Sequence, residues 1–286
     1  MKAIRFYFNG YGRTARSIRM ILLIYAVYLI AGLLLAIPFL ALARSTGGNS
    51  LLPAELMKGF DATALRELLA SGGQAFQFYL KSLIPWMMAF FLLQIYLTGG
   101  MIGWISNPRG RFRVRIFLKD SNSLFFRFFK LSIWVLIWQA VIALIIWSAW
   151  VFLTGSRDLV SDRTLVHSFA IAALVHLLCI LFILMSADLA RSGLYLMDSR
   201  KALKALWQSV KLLVRRFSAT YPLTLLLMLA PGLLITLFYW FRSGITAGNA
   251  WALLGVVLIQ QLFILARIFF RTWRLASSLS CLTHYQ

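Results

Sequence analysis

Six apolar runs, each 20 to 23 residues long, divide this chain at 20–42, 83–105, 131–153, 168–187, 219–240 and 250–270. An α-helix rises about 1.5 Å per residue, so about 20 residues cross a hydrocarbon core of ~30 Å. In such a core no water is present to satisfy free peptide groups, and a run of this length is forced into helix. The expected fold is therefore all-α: a polytopic membrane helical bundle of six transmembrane helices, forming a single integral membrane domain over residues 1–286. Composition agrees with this, since the chain is 61% hydrophobic and only 13% charged, against about 25% charged in soluble domains.

The charge between the runs is lopsided. If the first segment is cytoplasmic and all six runs span, the inner segments are 1–19, 106–130, 188–218 and 271–286. They carry 21 of the 29 Lys and Arg residues, and the outer segments carry 7. Lys/Arg bias of this kind sets topology, so both termini are expected in the cytoplasm. The net charge of +21 does not point to nucleic acid. The basic residues sit in short segments beside apolar spans, where they meet anionic lipid headgroups. The basic lead Lys2–Arg19 followed by an apolar run resembles a signal peptide, and Ala41-Leu42-Ala43 fits a cleavage pattern. The 23-residue run exceeds the 7–15 residues of a signal core, which favours a retained first helix with an interfacial lead-in.

The connecting segments have structure of their own. Ser45–Ser50 reads as a loop. Asp61 is placed to cap a short helix over 62–70, with Gly72-Gly73 to stop it. Asn107-Pro108-Arg109-Gly110 signals a turn, and Arg111, Arg113 and Arg115 then alternate with apolar residues. That alternation suits an irregular stretch with arginines at lipid phosphates better than a lone strand, which would have no partner. Residues 121–130 read as an aromatic helix. Asp198 is expected to cap a helix beginning near Ser199. In it Leu203, Leu206, Trp207, Val210, Leu213, Val214 and Phe217 follow helical spacing, with Arg200, Lys201, Lys204, Lys211, Arg215 and Arg216 around them. These are cytoplasmic amphipathic elbow helices, suited to lying in a lipid interface or to orienting the next span. Leu118-Lys119-Asp120-Ser121 and Leu196-Met197-Asp198-Ser199 echo each other and permit a duplicated span–elbow–span unit.

Ionisable or amide side chains at membrane depth are the candidate functional residues. They are His176, Gln94, Gln139, Gln260 and Gln261 within spans, and Asp188, Arg191 and Arg267 near the inner ends. A proton or metal role for His176 needs partners, and no second histidine or acid lies at its depth, so a hydrogen-bonded packing role fits better. The glutamines read as interhelical links, or as the lining of a substrate path. Asp188 and Arg267 are expected to form an ion pair joining two helices, with a gate or substrate contact as the functional alternative. Thr98–Gly103 contains GxxxG, which permits close helix approach.

No cofactor or metal motif is present: there is no P-loop, no HExxH and no GxSxG, and the 8 acids are scattered. Cys179 and Cys281 form neither a CxxC nor a framework. Cys281 reads as a free thiol, with lipidation the alternative. An enzyme is not expected.

Gly99-Gly100, Phe125-Phe126, Phe128–Leu131, Asp188–Arg191, Asp198–Ala202, Gln260-Gln261 and Leu265–Arg267 together resemble a group of uncharacterised bacterial six-span membrane proteins. They are also similar to the membrane domain of some glycerophosphodiester phosphodiesterases. The resemblance implies a bacterial inner membrane and a six-helix bundle. It implies no activity, since the catalytic barrel of those phosphodiesterases is absent from this chain. The leading expectation is a non-enzymatic inner-membrane scaffold, or an accessory subunit of an envelope or transport assembly. Its partners would be anionic lipid headgroups and a protein on the cytoplasmic face. The alternative is a permease for a small amphiphile or lipid.

Overall fold

A computed structural model describes residues 2–47, 62–106, 111–155, 162–198, 201–243 and 250–285. Among these there are eight helices and no strand: α1 (Lys2–Ala15), α2 (Ile18–Gly47), α3 (Ala62–Ser106), α4 (Val114–Gly155), α5 (Asp162–Leu196), α6 (Ala202–Arg215), α7 (Phe217–Ser243) and α8 (Ala250–Tyr285). Six of them, α2 to α5, α7 and α8, contain stretches long and apolar enough to cross a membrane, as the run lengths require. The two short helices, α1 and α6, are amphipathic.

The long helices exceed a bilayer. At about 1.5 Å per residue, the 42 residues of α4 extend ~63 Å and the 36 of α8 ~54 Å. Segments 114–130, 188–196 and 271–285 lie outside the apolar runs and continue the span helices, so the helix expected over 121–130 is part of α4. The short helix expected over 62–70 is likewise the start of α3, which runs through Gly72-Gly73 without a break. Two glycines cost a helix about 1 kcal/mol each relative to alanine. Freeing backbone groups near hydrocarbon costs more. Residues 45–47 are helical, whereas Asp61 and the turn at 107–110 lie outside the described residues.

The chain divides into two compact units. Unit 1 comprises Met1–Ser17, Thr98–Leu229 and Arg271–Gln286, and unit 2 comprises Ile18–Leu97 and Ala230–Phe270. Unit 1 holds the basic segments and a dense core. Met101, Ile102, Phe117, Phe128, Leu131, Met185, Leu189, Leu194, Ala276 and Cys281 are essentially inaccessible. The half of the α4–α5 pair next to Gly155 and Asp162 exposes its side chains: Leu144, Ile145, Phe152 and Ile171 are all more than half accessible. An apolar surface of this extent is the mark of a lipid-facing helix pair. Unit 2 shows the same pattern at Leu33, Ile37, Ile84, Met87 and Leu262.

Glycines permit the close packing of unit 1. A Cβ on Gly100 would fall 2.5 Å from the Phe117 ring and from Ser121 Oγ, and one on Gly103 would fall 2.5 Å from Asp120 Oδ2. The GxxxG face of α3 thus receives the first turns of α4. Asp120 and Ser121 lie inside α4, whereas Asp198 lies beyond the end of α5, outside any helix. The two echoed tetrapeptides therefore occupy different local structures.

The interfacial lead-in forms α1 and docks on the end of α8. Ala3, Phe6, Gly10 and Thr14 make its buried face. Trp273 Nε1–H donates to the Tyr7 carbonyl at 2.8 Å, and the two rings lie 4.3 Å apart. The two ends of the chain therefore lie together. A Cβ on Gly10 would meet Ser277 Oγ at 2.0 Å and the Ser277 backbone nitrogen at 2.8 Å. Backbone cannot rotate away, so Gly10→Val is expected to undock α1 at a cost of about 1–3 kcal/mol. Amide exchange over residues 3–15 should accelerate while that of α4 is unchanged.

Candidate functional site

The polar groups of unit 1 converge on Asp188. This residue is fully buried in α5, in a stretch where Ser186, Ala187, Leu189 and Ala190 are also inaccessible. A carboxylate in such surroundings requires compensation by charge. Arg191, one turn on, donates from Nη1 to Asp188 Oδ1 at 2.7 Å. Arg274 of α8 brings Nε to 2.5 Å from Oδ2. This second contact is ionic and lacks hydrogen-bond geometry. Both arginines keep about a fifth of their side chains accessible, whereas the carboxylate is fully enclosed.

Arg267 is not the partner of Asp188. It is exposed, and forms no ion pair among the described residues; its long side chain is free to reach toward polar surroundings. Arg274 lies seven residues further along the same helix, two turns on the same face. The extension of α8 beyond the apolar run moves the pairing from one arginine to the other. The next basic residue, Arg271, donates to Thr98 Oγ1 at 2.6 Å and ties the end of α8 to α3.

Buried hydroxyls in this region are mostly satisfied inside their own helices. Ser192 donates to the Asp188 carbonyl at 3.0 Å, Ser278 to that of Arg274 at 2.9 Å and Ser280 to that of Ala276 at 2.9 Å. Such bonds let small polar residues sit in tight helix contacts without a partner across the interface. Cys281 is fully buried among them, which removes it from the surface that lipidation would need. Burial also pushes the Tyr7 phenol above its ordinary value.

The remaining candidates are spread over separate contacts. His176 accepts from Trp147 Nε1–H at Nδ1, 3.0 Å away, and its Nε2 lies 2.8 Å from the Gln139 amide. An indole N–H can only donate, so Nδ1 accepts that bond, and the atom facing Nε2 is the amide nitrogen Nε2 of Gln139. Both ring nitrogens are thereby used. In unit 2, Tyr28 Oη–H donates to Gln94 Oε1 and Tyr25 Oη–H to Gln261 Oε1, each at 2.8 Å. One face of α2 thus holds both α3 and α8. Gln260 is exposed. Each paired amide has an aromatic partner of its own, an arrangement that serves helix association at roughly 0.6 kcal/mol per bond.

The elbow helix α6 packs on α4 and α5. It begins at Ala202 with Lys201 at the cap position and no side-chain cap. Asp198, expected as that cap, has φ 45 and pairs with Arg127 of α4. A cross-helix ion pair thus takes the carboxylate that local propensity assigned to the helix end. The junction with α7 is held by Thr220, whose hydroxyl lies 2.9 Å from the Arg216 carbonyl and 3.3 Å from that of Leu213.

The elbow carries two apolar faces instead of the one expected. Ala202, Ala205, Leu206, Ser209 and Leu213 are buried against the protein. Leu203, Trp207 and Val214 are 45%, 64% and 63% exposed. At roughly 100° per residue they form a second stripe on a different side, bordered by exposed Lys204, Lys211 and Arg215. Of the other basic residues assigned to the lipid surface, Arg111, Arg113, Arg115, Lys201 and Arg216 are also exposed. Arg216 lies over the Tyr285 ring, 5.4 Å from its centroid. Arg200 lies outside the described residues.

Sequence reasoning missed Arg274, Arg271, Arg127 and the tyrosine and tryptophan partners of the amides. The signal for Arg274 was present: Ala276, Ser277 and Ser280 are small residues at helical spacing in the inner segment 271–286. Comparison with protein-family models, curated protein sequences and solved structures found no match to this chain.

Asp188→Asn is expected to cost about 3–5 kcal/mol, because two buried guanidinium stems lose their counter-charge. Arg267→Gln should change stability by less than about 0.5 kcal/mol. Thermal unfolding of the purified variants in mild detergent checks the contrast, and equal effects at the two positions would refute the assigned pairing.

Proposed function

We propose that this chain is a non-enzymatic multi-pass protein of a bacterial inner membrane, with both termini in the cytoplasm. It serves as a scaffold or as an accessory subunit of an envelope or transport assembly. The observation that carries this reading is the second apolar stripe of α6, Leu203–Trp207–Val214, lying uncovered beside Lys204, Lys211 and Arg215. A helix with one face packed on protein and an apolar–basic face left outward is suited to a headgroup interface rich in anionic lipid. The accumulation of Lys and Arg at the same ends of the spans supports placing this side in the cytoplasm. The docking of α1 on the end of α8 is compatible with two termini on one side. The exposed arginines at 111, 113 and 115 extend the basic surface, on which a protein partner could also dock.

The permease alternative depended on amides and His176 lining a common path. The pairing of Gln94 with Tyr28, Gln261 with Tyr25 and Gln139 with His176 in separate contacts gives it no support. The likeness to six-span bacterial membrane proteins fits the proposal and adds no activity to it.

A two-part experiment tests the proposal. Cysteines placed at 204 and 211 in a chain lacking Cys179 should react with a membrane-impermeant maleimide in inverted vesicles and remain unreactive in intact spheroplasts. Purified protein in liposomes should leave the permeability to ions, sugars and a fluorescent lysolipid at the level of empty liposomes. Labelling from the outside would reverse the topology, and protein-dependent flux would replace the scaffold by a permease.

A further inference from the structure

A groove of about 370 Å³ lies where the start of α6 meets α4, lined by Lys130, Ile133, Trp134, Ile137, Lys201, Ala202 and Leu203. Its volume falls in the range of small-ligand sites. The α4 side of the groove is ordered along the helix. Lys130, Ile133, Trp134 and Ile137 follow i, i+3, i+4 and i+7 spacing, which puts a cation above one apolar face. From Lys130 to Ile137 the helix rises ~10 Å. Across from them Lys201 adds a second basic residue at the head of α6, next to buried Ala202. Lys130 and Lys201 are exposed, and Ile133, Trp134, Ile137 and Leu203 are each more than a third exposed. Lys130 and Trp134 stand at the end of the apolar run that begins at residue 131, where an indole sits at headgroup level in a membrane.

We infer that this groove binds one anionic phospholipid, its phosphate between Lys130 and Lys201 and its upper acyl chain along Ile133, Trp134 and Ile137. Charge selects the occupant. Two ammonium groups at one end match a headgroup phosphate, and the apolar floor matches the chain attached to it. A free phosphate would leave that floor uncovered, and a neutral phospholipid would bring no net charge to the lysines. Leu203 belongs both to the groove and to the outward stripe of α6, so a lipid held here would be continuous with the surface on which the elbow rests. The inference rests on the reading of the basic side as lipid-facing, and adds a defined site to it.

The test uses the full chain, reconstituted in equal parts phosphatidylcholine and phosphatidylglycerol and released into mild detergent. Co-retained phospholipid is counted by native mass spectrometry. The wild type should retain one phosphatidylglycerol in preference to phosphatidylcholine. Lys130→Gln and Lys201→Gln should each weaken that preference about fivefold, and Ala202→Trp should remove lipid of both kinds. Ile137→Trp gives the same readout where Ala202→Trp lowers the melting temperature. Lys204→Gln/Lys211→Gln, on the outward basic stripe, should weaken retention less than either groove variant. Preference surviving in the Lys130/Lys201 double variant overturns the site. Loss of retention in the Lys204/Lys211 variant to the same extent also overturns it, while leaving a diffuse lipid-binding elbow intact. Release by inorganic phosphate at constant ionic strength overturns the lipid as occupant. Selective retention combined with thiol labelling of positions 204 and 211 from the wrong side would leave the site standing and overturn the proposed orientation.

Discussion

A carboxylate shielded from water must be neutralised, and at Asp188 the neutralising charges come from its own helix and from another. Arg191 is local and would be available wherever α5 went. Arg274 is available only if α8 continues as a helix well past its apolar run and lies against α5. The pair therefore makes the end of α8 part of the core of unit 1. Other contacts depend on that placement: Arg271 to Thr98, Trp273 to Tyr7, and the approach of Gly10 to Ser277. Removing a partner from a buried ion pair costs more than the pair itself contributes. Such a pair consequently specifies which surfaces meet more than it adds to stability.

The distribution of packing follows. The dense core of unit 1 is at the basic ends of its helices, where glycines and serines let backbones approach. The half of the α4–α5 pair next to Gly155 and Asp162 leaves bulky apolar side chains exposed. This is the division expected when lipid is the solvent for one part of a helix and protein for another, since lipid tails solvate leucine as well as a protein core does. In unit 2, tyrosine–glutamine bonds join α2 to α3 and to α8.

The six spans were legible because the bilayer sets a length, and six apolar runs of about 20 residues each match that length and little else. The elbow was legible from its spacing, although spacing could not divide its apolar residues between two faces. Leu206 and Leu213 turn to protein while Trp207 and Val214 do not, and only the position of α4 and α5 decides that. The helix ends were not legible. A basic connection and a basic helical extension have the same composition, so Arg274 was passed over for Arg267. Asp198 was assigned to a cap on local propensity, but α6 begins only at Ala202, and the carboxylate pairs with Arg127 instead. The candidate amides were found by rarity at depth. Their partners were not, because tyrosine and tryptophan are common near membrane interfaces and carry no distinguishing pattern.

The central claim is that α6 lies in a lipid interface with its second apolar stripe immersed and its lysines in water. Single spin labels at positions 207, 204 and 144, in liposomes containing anionic lipid, test it most directly through relaxation by oxygen and by a water-soluble nickel chelate. The account predicts that position 207 is relaxed mainly by oxygen, position 204 mainly by nickel, and position 144 by oxygen alone. Nickel reaching position 207 as readily as position 204 would contradict it.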